Sequence, residues 1–122
     1  MEAALLWAGV LVLGGIGAIF RTRIGAAIDN RKQTPFTLGT FVVNVSGSLV
    51  AGVLYGAGVG GDGELLASTA LIGAYTTFST WMADSERLGR QGAGELALLD
   101  VFGSLFAGLA AALLGMTIAR AF

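Results

Sequence analysis

A chain of 122 residues makes one domain, and 55% hydrophobic against 12% charged residues, with mean hydropathy +0.79, places it with membrane proteins. Having no Cys and no His, it excludes disulfides, thiol nucleophiles, the usual zinc sites and the commonest general base. A net charge of -1 without a Lys/Arg stripe excludes nucleic acid as a partner, and the non-basic start (Met1-Glu2-Ala3-Ala4) leads us to expect no cleavable signal peptide.

The first apolar segment runs from about residue 3 to 20 without a charge. At about 1.5 Å per residue it spans about 27 Å, close to the roughly 30 Å of a bilayer's hydrocarbon. Gly9, Gly14, Gly15 and Gly17 suit close helix packing in lipid. Arg21 and Arg23 are expected to close this helix. A polar link follows, ending at the only proline, Pro35, where the next helix could begin.

The second segment, about 37–59, carries Thr40, Asn44, Ser46 and Ser48, with Gly47/Ala51 and Gly52/Gly56 as small-xxx-small pairs. A buried amide has donors and an acceptor to satisfy, so Asn44 reads equally as glue between helices and as the lining of a pathway. After the acidic turn at 60–64 comes the third segment, about 65–82. Thr76, Thr77, Ser79 and Thr80 crowd it, with Gly73 ahead and Phe78 and Trp81 on one face. An unpaired polar group in hydrocarbon costs several kcal/mol, roughly, so these hydroxyls face another helix or something polar that passes through. The glycine and hydroxyl run also favours an interrupted helix. The fourth segment, about 96–119, holds Asp100, Gly103, Ser104 and Gly108 and ends at Arg120. The fold class is therefore an all-α membrane protein of four transmembrane helices.

The links after the first and third segments lie on one side of the membrane. They hold Arg21, Arg23, Arg31, Lys32, Arg87 and Arg90, against Arg120 alone on the other side. The positive-inside rule places loops 21–36 and 83–95 in the cytoplasm of a multi-pass cell-membrane protein.

Enzyme chemistry is poorly provided for. Asp100 is the one carboxyl inside a segment, where snorkelling or pairing with an Arg is its simplest role. A transport pathway fits better. Hydroxyls, the Asn44 amide and the electropositive ring edges of Phe78 and Trp81 suit a small anion, and carbonyls exposed by a break near 73–77 suit an alkali cation. Composition and patterning reach a small channel or carrier and leave its ion open.

Three motifs go further: Gly14-Gly-Ile-Gly-Ala-Ile-Phe-Arg21, Gly39-Thr-Phe-Val-Val-Asn44 and Gly73-Ala-Tyr-Thr-Thr-Phe-Ser-Thr80. In order and spacing they resemble the Fluc (CrcB-type) fluoride channels, over nearly the whole chain. The resemblance implies an antiparallel dimer exporting fluoride through two pores and relieving fluoride toxicity. It implies a broken third helix whose carbonyls, matched by Gly73 and Thr76, hold a sodium ion between subunits. It assigns Asn44, Phe78, Ser79, Thr80, Thr40 and Ser104 to the ion pathway, Trp81 to the second aromatic position, and Arg21 to the basic residue closing the first helix. Two departures stand out: Trp81 replaces a phenylalanine, and Asp100 sits where many members have tyrosine. The six-to-one charge bias further points to a partner that is a homologue of opposite bias, this chain then being one subunit of a heterodimer and even its non-conducting one. Two rivals remain: a non-transporting scaffold subunit, and a small proton-coupled multidrug exporter, which needs a first-helix carboxylate that 3–20 lacks.

Overall fold

A computed structural model describes residues 2–31 and 36–122. Lys32 and Pro35, assigned above to a cytoplasmic loop and a helix start, lie outside the described residues. Those residues are almost wholly helical, with no strand among them. Helix α1 is Ala3–Asp29, α2 is Leu38–Gly56, α4 is Ser79–Arg90 and α5 is Gly94–Ala121. Between α2 and α4, α3 covers residues 61–75, π-helical over Glu64–Ile72 and α-helical at both ends. A second π-helical stretch, Leu99–Gly103, lies inside α5. Among the described residues three helices, α1, α2 and α5, are long and apolar enough to cross a membrane. The third expected segment is two helices, α3 and α4, separated by residues 76–78, of which Thr76 is extended.

Helix α1 outruns its expected end at residue 20. Arg21 and Arg23 do not close it: they sit on its partly and fully exposed sides, and the helix continues through Ile24 to Ile28. It ends at Asp29, with the main-chain N–H of Asn30 still donating to the Ala26 carbonyl at 2.9 Å. The α2 N-terminus is then capped from a distance. Asp29 Oδ1 accepts the Gly39 N–H at 2.8 Å, which sets a carboxyl on the positive end of α2. At the other end, α2 stops at Gly56 rather than near 59, because Gly58 takes φ 77, the left-handed conformation that ends helices.

Glycines set the packing. A Cβ on Gly52 would overlap the Ala112 carbonyl, and one on Gly115 the Leu49 carbonyl, so α2 and α5 touch backbone to backbone. Gly17 on α1 likewise lies against Leu71 of α3, and Gly47 on α2 against the Thr76 methyl. Small residues allow this approach, and dispersion between close backbones replaces the hydrophobic drive that lipid does not supply. Buried hydrophobic side chains are accordingly few among the described residues (Val43, Ala70 and Leu88), whereas Leu11, Trp7, Phe106 and Leu113 are more than half exposed. That inversion suits a lipid solvent.

Candidate ion pathway

The site is built on the interruption between α3 and α4. Thr76 leaves the helix at φ -86, ψ 160, and α4 restarts at Ser79. Thr76 donates both its N–H and its Oγ1 hydrogen to the Ile72 carbonyl, at 3.0 and 3.1 Å, closing the last turn of α3. The Thr77 N–H then has no helical carbonyl to bond. It donates to Asn44 Oδ1 at 2.8 Å, while Asn44 Nδ2 donates to the Thr77 carbonyl at 2.8 Å. The amide thus pairs with both polar groups of one interrupted residue, as a neighbouring strand would. On the α4 side, Thr77 Oγ1 accepts the Thr80 N–H at 3.2 Å, in the manner of a helix cap.

These bonds decide which carbonyls are bare. The Thr77 N–H would close an i→i+4 bond on the Gly73 carbonyl, and the Thr80 N–H one on Thr76; both are diverted to side-chain oxygens. Gly73 and Thr76 therefore carry carbonyl oxygens relieved of their helical donors, the hard neutral ligands an alkali cation takes. A carboxylate cage is not the alternative, since no group of three acidic residues is placed for a metal among the described residues.

Two cavities flank the break. One, of about 500 Å³, is walled by Asn44, Gly73, Thr76, Phe78, Trp81 and Ser104. The other, of about 410 Å³, is walled by Arg21, Asp29, Thr40, Thr77 and Thr80. Thr77 borders both, so the Asn44–Thr77 pair forms part of the partition between them. The sequence-derived residues thus divide into two sets. Ser79 belongs to neither wall; it is exposed, with its hydroxyl 3.4 Å from that of Thr77.

Phe78 and Trp81 stand edge to face, ring centroids 5.6 Å apart and planes at 90°. Phe78 is 68% exposed on the single chain and Trp81 is half-buried. The indole N–H of Trp81 donates to the main-chain carbonyl of Asp100 at 3.0 Å. Asp100 neither snorkels nor pairs with an arginine. It is 1% exposed between α4 and α5, accepting the Ser85 hydroxyl at 2.6 Å and the Ser104 hydroxyl at 3.2 Å. Thr40 donates to Asp84 Oδ2 at 3.0 Å.

Asp84, Ser85 and Asp29 were not singled out from the sequence. The Asp100–Ser104 spacing of four was a helical-face signal for one of these contacts. Nothing local announces Ser85 against Asp100 or Thr40 against Asp84, which meet only because α4 folds back across α2 and α5.

The family described as CrcB-like protein, Camphor Resistance (CrcB), matches residues 8–116. The chain is 42% identical over 120 residues to a protein of Mycolicibacterium paratuberculosis described as fluoride-specific ion channel FluC 2, covering 98% of each. It is 43% identical over 115 residues to the FluC 2 of Mycobacterium tuberculosis, covering 94% of this chain and 91% of that one. A fluoride-specific ion channel FluC of Rhodopseudomonas palustris is 39% identical over 117 residues, 92% of this chain and 94% of its own.

Proposed function

The chain belongs to the CrcB family, and from that premise we propose that it is a fluoride-specific ion channel of the cell membrane, and not an enzyme, exporting fluoride and so relieving its toxicity. The observation that carries this reading is the interrupted backbone at Thr76–Phe78, clamped by Asn44 and set beside an edge-to-face aromatic pair. Fluoride is small and strongly hydrated, so a dry passage must replace its water with donors and positive ring edges, and these are the groups assembled here. In this reading Arg21, Thr40 and Thr80 wall an entry chamber, Asn44 and Thr77 the partition, and Phe78, Trp81 and Ser104 the far side. Ser79 flanks the break.

Four crossings are proposed, the third made by α3 and α4 together, with loops 21–36 and 83–95 cytoplasmic. Irregular backbone at membrane depth survives where it is buried in protein or lines a cavity, and the break does the latter. The exposed face bearing Phe78 is proposed to be covered by a second subunit in antiparallel orientation. A sodium ion held by the Gly73 and Thr76 carbonyls, with their counterparts across the pair, would supply positive charge beside a buried anion path.

A second subunit that is a paralogue of opposite charge bias is favoured by the distribution of basic residues. Discounting Arg21 and Arg23 as part of α1, the cytoplasmic links still hold Arg31, Lys32, Arg87 and Arg90 against Arg120. Such a chain inserts one way, and an antiparallel pair needs both ways.

The test is fluoride efflux from liposomes, read with a fluoride electrode and controlled with chloride. Efflux of fluoride and not chloride by the purified chain supports a self-sufficient channel and overturns the obligate paralogue. Efflux only after co-expression with an oppositely biased homologue supports the heteromer. Silence from both well-folded assemblies overturns the channel reading.

A further inference from the structure

Asp100 is the one buried carboxyl among the described residues. Its two oxygens accept the hydroxyls of Ser85 and Ser104, and its main-chain carbonyl accepts the Trp81 indole N–H. Ser104 and Trp81 also form walls of the larger cavity, whereas Asp100 lies behind them and does not reach it. A serine hydroxyl carries one hydrogen and an indole carries one. Both hydrogens are used behind the wall, so Ser104 turns lone pairs, not a donor, toward the cavity. An anion passing Phe78 and Trp81 thus meets two donors fewer than the residue types supply.

We propose that Asp100 is a positioning residue that restrains anion passage along this subunit by drawing the Ser104 hydroxyl off the pathway, behind the Phe78–Trp81 wall. The inference rests on the channel reading above. It makes the pathway lined by this subunit's aromatic pair the slower one of any assembly the chain enters.

Asp100→Asn keeps the acceptor for Ser104 and removes the acid. The amide keeps the shape, its Nδ2 donating to Ser85 Oγ, its Oδ1 still accepting Ser104, and the Ser85 hydroxyl keeping its bond to the Trp81 carbonyl at 3.1 Å. Asp100→Ala also frees the Ser104 hydroxyl. The variants are purified in whichever assembly conducts in the liposome assay, the chain alone or with the oppositely biased homologue, checked for folding by monodisperse elution, and compared there with the unchanged chain. Asp100→Ala is expected to raise the initial fluoride efflux rate severalfold, whereas Asp100→Asn, whose Oδ1 still holds the Ser104 hydroxyl, gives no such gain. Adding Ser104→Ala to the Asp100→Ala variant should cancel that gain, because the freed hydroxyl is then gone. A residue that merely holds α4 to α5 gives no gain in rate. A folded Asp100→Ala that conducts no faster than the unchanged chain in the conducting assembly overturns the inference. The fluoride reading then stands or falls separately, on whether co-expression with the oppositely biased homologue produces efflux.

Discussion

Asn44 has a role that its residue type permits and its position requires. Both of its strong bonds go to Thr77, so its removal leaves an N–H and a carbonyl unpaired at membrane depth. Asn44→Ala is expected to cost about 2–4 kcal/mol, at roughly 1–2 for each orphaned group, and to abolish fluoride efflux; thermal unfolding in detergent and the liposome assay read the two effects. Phe78 differs in kind. Being largely exposed on the single chain, it can lose its ring without loosening the subunit's own packing. Phe78→Ile should leave the melting temperature within a few degrees and lower efflux at least a hundredfold. A conducting Phe78→Ile chain would remove the ring edge from the pathway and revive the scaffold reading.

At the scale of elements, the bundle is held by contacts that tolerate no Cβ. Gly52 and Gly115 face each other's helix across the α2–α5 seam, and Gly17 does the same between α1 and α3. Gly52→Val is expected to push α5 off α2 and destabilise the fold by more than about 2 kcal/mol, an overpacking effect that rotamer changes cannot relieve because the obstacle is a carbonyl. Gly15→Val, whose Cβ meets nothing within 4 Å, is the matched control and should be silent. The break belongs to this scale as well. It persists because α2 presents Gly47 and Asn44 in succession, one yielding space to Thr76 and the other bonding Thr77.

For the molecule as a whole, the expected insertion is testable because the chain has no cysteine of its own. Single cysteines at Gly60→Cys and Gln91→Cys, both in exposed links, report opposite sides. An impermeant thiol reagent on intact cells should label the first and leave the second until the membrane is opened. Equal labelling of both would mean dual insertion, and with it a self-sufficient antiparallel homodimer. The proposed sodium site is also a property of the assembly. Exchange of sodium for a bulky organic cation on both sides should slow fluoride efflux, with no effect if the Gly73 and Thr76 carbonyls hold nothing.

Much of this protein is legible in its residues taken one after another. Hydropathy marks α1, α2 and α5 as long enough to span lipid, because that signal is local. The glycine and hydroxyl run likewise announces an interruption around Gly73 to Thr77, because backbone competition is local too. Where the interruption falls is not local. Thr76 and Thr77, rather than Gly73, leave the helix because Asn44 and Gly47 arrive from another helix to receive them. The persistence of α1 past Arg21 and Arg23 followed from the same limit: charge marks the edge of the hydrocarbon, not the end of a helix. Asp100 is the clearest case. Its sequence position allowed snorkelling or an arginine partner, and only the fold of α4 against α5 brought Ser85 to one oxygen and left Ser104 to the other. Residue types determined which chemistry the chain holds; packing decided which donors face the cavity and which are turned away from it.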